Sequence, residues 1–220
     1  MDPIRLTILI SGSGTNLQAV IDRTAPSSQQ ALPASIIRVI SNRKDAFGLE
    51  RAHRASIPTH YHNLVKYKRQ HPATPAGVQC AREAYDAELA RLVLADKPDL
   101  VACLGFMHVL SPRFLAPLEE GKVKIINLHP ALPGEFNGAN AIERAHQAWL
   151  DGQIDKTGVM IHNVISEVDM GKPILVREIP FVKGTDEDLH VFEQKVHEME
   201  WGVVIEGIQL AVDEIQAARA

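Results

Sequence analysis

The opening segment of the chain limits the fold more than any other feature. Ile4–Ile10 is a short, mostly aliphatic run, and Ser11-Gly12-Ser13-Gly14-Thr15-Asn16 follows it directly. Such a run predicts a buried strand that ends in a tight turn. Leu17, Val20 and Ile21 then recur at helical spacing, with Thr15 or Asn16 as the predicted N-cap. The chain therefore opens with a strand, a glycine-rich loop and a helix.

The same order of elements recurs. Pro26, Ser27 and Ser28 are predicted to end the first helix. Because strands and helices alternate, the pattern predicts an α/β fold, Rossmann-like, with a mostly parallel sheet flanked by helices. Two late strands sit close enough together to be antiparallel neighbours, and a long C-terminal helix follows them. The predicted strands are 4–10, 36–40, 100–104, 123–128, 159–164 and 174–179. The predicted helices after the first are 46–55, 141–150 and 189–218, together with one helix that ends before residue 97 and one that starts at residue 112. Residues 63–78 are predicted to be a surface loop.

Composition excludes several classes of protein. The 220 residues are 45% hydrophobic and 23% charged, which is ordinary for a globular chain, and we expect residues 1–220 to form a single domain. A net charge of −4 provides no positive field for nucleic acid, and no apolar run approaches the length of a membrane span. Cys80 and Cys103 are far apart and the N-terminus has no signal-peptide pattern, so we expect a cytoplasmic protein. Its predicted partners are small molecules, with monomer and homodimer left open.

Three groups of residues are candidates for chemistry. Gly14, Thr15 and Asn16 lie where a helix start would present backbone N–H groups to a phosphate, although a simple tight turn would have the same sequence. Asn127 and His129 lie two residues apart at a predicted strand end, so both point to one side and could donate to a developing oxyanion.

Asp169 lies in the turn between the two late strands. A carboxylate beside an imidazole would raise its pKa and orient it, but an Asp-x-Gly stretch is more commonly just a turn. The histidines form no zinc pattern and no G-x-S-x-G elbow is present, so we expect neither a metal nor a serine nucleophile.

Five separated motifs together resemble the phosphoribosylglycinamide formyltransferases, over residues 4 to about 205. They are Ile10-Ser11-Gly12-Ser13-Gly14-Thr15-Asn16-Leu17-Gln18-Ala19, Ser41-Asn42-Arg43 with Ala46-Phe47-Gly48-Leu49-Glu50-Arg51-Ala52, Gly105-Phe106-Met107, Ile126-Asn127-Leu128-His129-Pro130 and Asp169-Met170-Gly171. The resemblance implies transfer of a formyl group from 10-formyltetrahydrofolate, the co-substrate, to the amine of 5-phosphoribosylglycinamide in purine biosynthesis.

The resemblance also implies roles for individual residues. By this resemblance the catalytic residues are Asn127, His129 and Asp169, and Asp169 holds a protonated His129. The residues that bind phosphoribosylglycinamide are Gly14, Thr15, Asn16 and Glu200. The residues that bind folate are Arg82 and Asn127, together with Met107, His108, Val109 and Leu110 on one wall of the pterin pocket and Ile165, Ser166, Glu167, Val168 and Asp169 on the other.

Some features depart from that family or fit its relatives. His108 stands where many members have arginine, Trp201 where histidine is usual, and Lys172 is an extra residue. Methionyl-tRNA formyltransferase and formyltetrahydrofolate deformylase share the Asn, His and Asp set but normally carry a further domain, which we do not expect here. Nucleotide-sugar formyltransferase also shares the set. A module that only binds a phosphorylated metabolite, without catalysis, would not require the Asn, His and Asp residues together.

Overall fold

Seven strands form one continuous sheet in the computed structural model, which describes residues 2–25 and 28–219. The strands are β1 (Ile4–Ile10), β2 (Ala34–Ser41), β3 (Thr59–Tyr61), β4 (Leu100–Cys103), β5 (Lys124–His129), β6 (Lys156–Asn163) and β7 (Pro173–Pro180). Their order across the sheet is β3-β2-β1-β4-β5-β6-β7. The pairs from β3 to β5 are parallel, whereas β6 and β7 are antiparallel additions.

Helices cover both faces of the sheet. They are α1 (Thr15–Thr24), α2 (Phe47–Arg54), α3 (Leu64–Lys68), α4 (Pro75–Ala95), α5 (Pro112–Glu120), α6 (Ala141–Leu150) and α7 (Leu189–Ala217). One core lies between the sheet and α1 and α7, and a second lies between the sheet and α4 and α5. β1 and β4 are buried on both faces, as their aliphatic sequences require.

The fold class predicted from the sequence is confirmed, including the antiparallel end and the long last helix. The predicted helix 141–150 has the same bounds in the structure. Ser111 caps α5 with Pro112 at its first position, as predicted. The predicted end of α1 at Pro26 and Ser27 lies outside the described residues.

Two predictions about local structure were wrong, and one strand was not predicted. The N-cap of α1 is Gly14, in a left-handed conformation, and no side chain of Thr15 or Asn16 caps the helix. The segment 63–78 is not a loop, because α3 lies within it and α4 begins at Pro75, capped by Thr74. The short edge strand β3 was missed, since only three residues form it and two of them are exposed.

The strand order reverses between β1 and β4, because the chain moves outward in one direction to β3 and in the other to β7. Such a switch point leaves a crevice at the carboxyl ends of the parallel strands, where ligands of α/β folds bind. None of the described helices is long and apolar enough to cross a membrane.

Candidate active site

The register of the sheet places the ends of β4 and β6 on either side of Asn127. Cys103, the last residue of β4, lies opposite Asn127 on one side, and His162 of β6 lies opposite it on the other. The segment after β4 and the turn after β6 therefore leave the sheet beside the same residue. His129, at the end of β5, projects from the same side of the strand as Asn127.

Asp169 joins these residues into one cluster. Its Oδ1 accepts a hydrogen bond from Asn127 Nδ2 at 3.2 Å, and its Oδ2 lies 3.4 Å from His129 Nδ1. The backbone N–H of Gly138 donates to Oδ2 at 2.7 Å. The predicted meeting of Asn127, His129 and Asp169, which no spacing rule could establish, is therefore found in the structure.

The turn between β6 and β7 folds back closely to carry Asp169 inward. Asp169 itself has a left-handed backbone, with φ 57°. A Cβ on Gly171 would lie 1.6 Å from the carbonyl oxygen of Asn163, so only glycine fits at that position. Asn163 then closes the turn, because its backbone N–H donates to Lys172 O at 3.0 Å. The Asp-x-Gly stretch is thus a tight turn and also the support of the carboxylate.

His162 is a member of the cluster that sequence reasoning missed. Its Nε2 lies 3.1 Å from Asn127 Nδ2 and 3.5 Å from Asp169 Oδ1. Its Nδ1 lies 2.9 Å from Asn163 O, and because a carbonyl only accepts, the neutral ring carries its proton on Nδ1. Nε2 is then an acceptor facing the Asn127 amide. A polar residue inside the apolar run of β6 was the signal that could have revealed it.

The ionisation of His129 differs from the sequence-based expectation. Burial lowers the pKa of His129, electrostatic interactions with His162 and Arg144 lower it further, and the opposing effects of Asp169 and the Glu135 backbone do not restore it. The ring is therefore neutral at neutral pH in the free protein. Since Asp169 approaches Nδ1, the lone pair is on Nε2, which is buried and has no partner among the described residues.

Asp169, in contrast to His129, is ionised at neutral pH. Burial alone would raise the pKa of Asp169, but its interactions with His162 and His129 and the hydrogen bond from Gly138 N outweigh burial, so the pKa is lowered. The cluster thus combines an ionised carboxylate with a neutral imidazole. A proton taken up by the imidazole would be stabilised at once by the carboxylate.

The glycine-rich loop is built for close approach of backbone. Gly14 has φ 72°, and a Cβ there would lie 2.6 Å from Cα of Gly48, the second residue of α2. Gly48 N donates to Gly12 O at 3.1 Å, so the start of α2 is fixed against the loop. Arg51 of α2 donates to Ser13 O at 2.9 Å. No side chain among the described residues caps the start of α1, which follows the carboxyl end of β1, so its first N–H groups are available to an anion.

Asn16 connects this loop to the last helix. Its Nδ2 donates to Glu200 Oε2 at 3.0 Å, and His197 Nδ1 lies 3.0 Å from the same oxygen. Glu200 is only 5% exposed, and this pairing raises the pKa of His197 above its ordinary value. Glu200 therefore lies next to the predicted phosphate loop although the two residues are 184 positions apart.

The segment after β4 is held from both sides. Ser11 Oγ accepts from Met107 N at 2.7 Å, and Arg82 donates to Val109 O at 3.3 Å. The imidazole of His108 is buried against the carboxylate of Asp86 at 2.6 Å, so only the backbone of His108 is free to face a ligand. Met107, Val109, Ile165 and Val168, from the two predicted pocket walls, are exposed apolar side chains. Exposed apolar side chains of this kind are available to contact the ring system of a ligand.

Within residues 2–25 and 28–219, no group of three or more His, Cys, Asp or Glu side chains could hold a metal ion. The cluster around Asp169 offers hydrogen-bond donors, acceptors and charges. That arrangement suits reactions in which charge develops on an oxygen and one proton is moved.

Comparison with known proteins identifies a family over nearly the whole chain. The model of the formyl transferase family matches residues 4–208. Phosphoribosylglycinamide formyltransferase from Schizosaccharomyces pombe is 48% identical over 203 residues, covering 92% of this chain and 94% of that protein. Phosphoribosylglycinamide formyltransferase from Dictyostelium discoideum is 42% identical, covering 93% of this chain and 96% of that protein.

The fold agrees with the same comparison. The crystal structure of glycinamide ribonucleotide transformylase 1 from Symbiobacterium toebii superposes with a TM-score of 0.79 and 30% identity. The match covers 97% of this chain and 89% of that chain. The likeness therefore includes the antiparallel end of the sheet as well as the parallel half.

Proposed function

The chain belongs to the formyl transferase family, and we propose that it catalyses formyl transfer from 10-formyltetrahydrofolate to the amine of 5-phosphoribosylglycinamide. It is a phosphoribosylglycinamide formyltransferase of purine biosynthesis. The observation that carries the proposed mechanism is the position of one ionised carboxylate, Asp169, within 3.4 Å of both Asn127 Nδ2 and His129 Nδ1.

The proposed first step is direct attack of the glycinamide amine on the formyl carbon. The C=O electrons move to oxygen, and the resulting tetrahedral oxyanion needs donors in a water-poor site. Asn127 Nδ2 carries two hydrogens, which point to Asp169 and His162 in the free protein. The oxyanion takes the place of His162 as acceptor for one of them.

The proton then moves through His129. Its neutral Nε2 accepts the proton that the attacking amine loses, and Asp169 stabilises the imidazolium through Nδ1. The charged ring hydrogen-bonds to the oxyanion and then transfers its proton to the departing folate nitrogen, as the oxyanion re-forms the C=O bond and the C–N bond to folate breaks. One C–N bond thus forms and one breaks, and the proton ends on the folate. Because the amine attacks the formyl carbon directly, no covalent enzyme intermediate is required.

Binding roles follow the arrangement of the crevice. Gly14, Thr15 and Asn16 bind the substrate phosphate through backbone N–H groups, and Glu200 binds the ribose hydroxyls. For the folate, Arg82 and Asn127 supply contacts, and two walls enclose the pterin. The walls are Met107, His108, Val109 and Leu110, and Ile165, Ser166, Glu167, Val168 and Asp169. His108 contributes its backbone only, because its ring binds Asp86.

The wider setting is part of the same proposal. Residues 1–220 form one catalytic domain that acts on small molecules, with neither nucleic acid nor membrane as a partner, and the protein is a monomer or a homodimer. The cytoplasm is the proposed compartment, because Cys80 and Cys103 are free thiols.

The deciding experiment measures folate release from 10-formyltetrahydrofolate by purified protein, with and without phosphoribosylglycinamide. Turnover that requires the amine and yields formylated product supports the transferase. Turnover without the amine would identify a deformylase. No turnover in either reaction would reject both activities and favour another acceptor or a binding module.

A further inference from the structure

Arg144 lies outside the proposed binding and catalytic residues, yet it holds the loop that contacts Asp169. It occupies the fourth position of α6, and its side chain points back along the helix toward the preceding loop. Its Nε donates to Asn140 O at 3.3 Å, and one terminal nitrogen donates to Asn137 O at 2.8 Å and to Phe136 O. One guanidinium thus binds three carbonyls of a five-residue segment.

That segment has an unusual backbone, which explains why it needs support. Phe136, Gly138 and Asn140 have φ values of 47°, 85° and 56°. Left-handed conformations are unfavourable for residues other than glycine, and they persist only when the surroundings hold them. The guanidinium also lies 5.9 Å from the centre of the Phe136 ring, so the same side chain packs on the first residue of the segment.

Stabilisation of α6 does not explain this position. A positive charge near a helix N-terminus interacts unfavourably with the helix dipole. Glu143, the preceding residue, is the kind of side chain that favours this end. The carbonyls of the loop, whose partial negative charges face the guanidinium, are what make the position of Arg144 favourable.

The loop in turn supplies the shortest hydrogen bond to Asp169. Gly138 N donates to Asp169 Oδ2 at 2.7 Å, and Oδ2 is also the oxygen that approaches His129. Displacement of Gly138 would leave this oxygen free to rotate away from the imidazole. We propose that Arg144 is a positioning residue, which fixes the loop 136–140 so that Gly138 aligns Asp169 with His129; this inference rests on the proposed function of that cluster.

Arg144 also acts through its charge, and the two effects can be separated. The groups that set the ionisation of His129 are Asp169 in the turn after β6, His162 on β6, Arg144 on α6 and the backbone of Glu135. The Arg144 charge lowers the pKa of His129. Arg144→Gln removes both the carbonyl contacts and the charge, whereas Arg144→Lys keeps the charge but cannot reproduce the donors at Nε and at the terminal nitrogen.

The experiment compares the wild type with Arg144→Gln, Arg144→Lys and a control, Arg91→Gln. Arg91, like Arg144, is a hydrogen-bonded arginine on a helix. It forms an ion pair with Glu88 and lies on the exposed face of α4. Three kinds of measurement are made on each folded protein: steady-state kinetics, which give kcat and KM for both substrates, the exchange rate of the Gly138 amide, and the titration of His129 by NMR without ligands.

We expect Arg144→Gln to lower kcat about tenfold to a hundredfold, since small misplacements of reacting groups have effects of that size, with KM changed less than about twofold. Gly138 exchange should rise about tenfold or more in Arg144→Gln. Arg144→Lys should recover part of kcat and leave the His129 titration as in the wild type, whereas Arg144→Gln should shift it to higher pH. Arg91→Gln should match the wild type throughout.

Several results would overturn the proposal. These are a kcat for Arg144→Gln within twofold of the wild type, an unchanged Gly138 exchange rate, or a loss found mainly in KM, which would indicate direct substrate binding. A full kcat in Arg144→Lys together with wild-type Gly138 exchange would show that only the charge matters. If the wild type itself does not turn over, the proposed function fails, while the exchange and titration results still decide the role of Arg144.

Discussion

Asp169 shows how one side chain can define the chemistry of a site. Its two oxygens accept from Asn127 and from the Gly138 backbone and approach His129 and His162. An asparagine in its place would present an NH₂ group to at least one of these donors. The negative charge also decides whether the neutral imidazole can take up a proton. Shape and charge are therefore both required at this position.

We expect His129→Asn to lower kcat about a hundredfold to a thousandfold, because a proton acceptor and an oxyanion donor are lost together. Asp169→Asn should lower kcat about a hundredfold, since the imidazolium loses its counter-charge. Steady-state kinetics with saturating substrates would measure both, and circular dichroism would confirm folding.

The control for these variants is His190→Asn, a change of the same kind at an exposed position at the start of α7. It should retain wild-type kcat. Near-normal turnover in folded His129→Asn or Asp169→Asn would reject the proposed roles of these residues.

At the scale of elements, α7 packs against both the parallel and the antiparallel parts of the sheet. It packs on the core that includes β1, β4, β5, β6 and β7 residues, and it carries Glu200 to Asn16 of the proposed phosphate loop. Two of its glycines have opposite surroundings. Gly207 is buried against Ile161 of β6, whereas a Cβ on Gly202 would meet no atom within 4 Å.

The same substitution should therefore have opposite effects at these two positions. Gly207→Ala should destabilise the fold by about 1–3 kcal/mol, because the new Cβ would lie 2.4 Å from Ile161 Cγ1 and force α7 away from β6. Gly202→Ala should stabilise it by about 0.5–1 kcal/mol through helix propensity alone.

Urea unfolding, followed by circular dichroism, measures both free energies on one scale. Gly202→Ala is the matched control for Gly207→Ala, because both change glycine to alanine within the same helix. If Gly207→Ala were as stable as the wild type, the close packing of α7 on β6 would be contradicted.

For the whole molecule, the alternation of strands and helices was readable from the sequence, because buried parallel strands and amphipathic helices have distinct hydrophobic patterns. The boundaries of α6 and the cap at Ser111 followed from local signals. β3 could not be found, because a three-residue edge strand with little burial has no pattern. Gly14 was missed as N-cap because a backbone conformation, and not a side chain, starts α1.

The candidate site was predictable only where its residues lie close together in the sequence. Asn127 and His129 share a strand, so their common side followed from spacing. The meeting of Asp169 with His129, the place of His162 opposite Asn127 and the contacts of Arg144 depend on strand register and loop conformation, which single-sequence patterns do not contain. The lowered pKa of His129 depends on burial, which likewise appears only in the folded protein.

The proposed substrate-binding crevice is assembled from distant parts of the chain, so ligand binding should stabilise the entire fold. The proposed phosphate loop follows β1, Glu200 lies on α7, and the proposed catalytic cluster spans β5 to β7. A ligand that binds only the folded state at 100 times its Kd adds about 2.7 kcal/mol of stability. Phosphoribosylglycinamide should raise the free energy of unfolding of the wild type by this amount.

Gly14→Val should abolish that gain while preserving the gain from a folate ligand. Its side chain would meet Cα of Gly48 and displace the loop from its left-handed conformation, whereas the proposed folate walls lie after β4 and β6. Thermal unfolding with each ligand separately measures both gains in the same preparation. Because each gain is the difference with and without ligand, the lower intrinsic stability of the variant cancels. Equal loss of both gains would contradict the assignment of the phosphate to this loop, since a local change at Gly14 leaves the other side of the crevice intact.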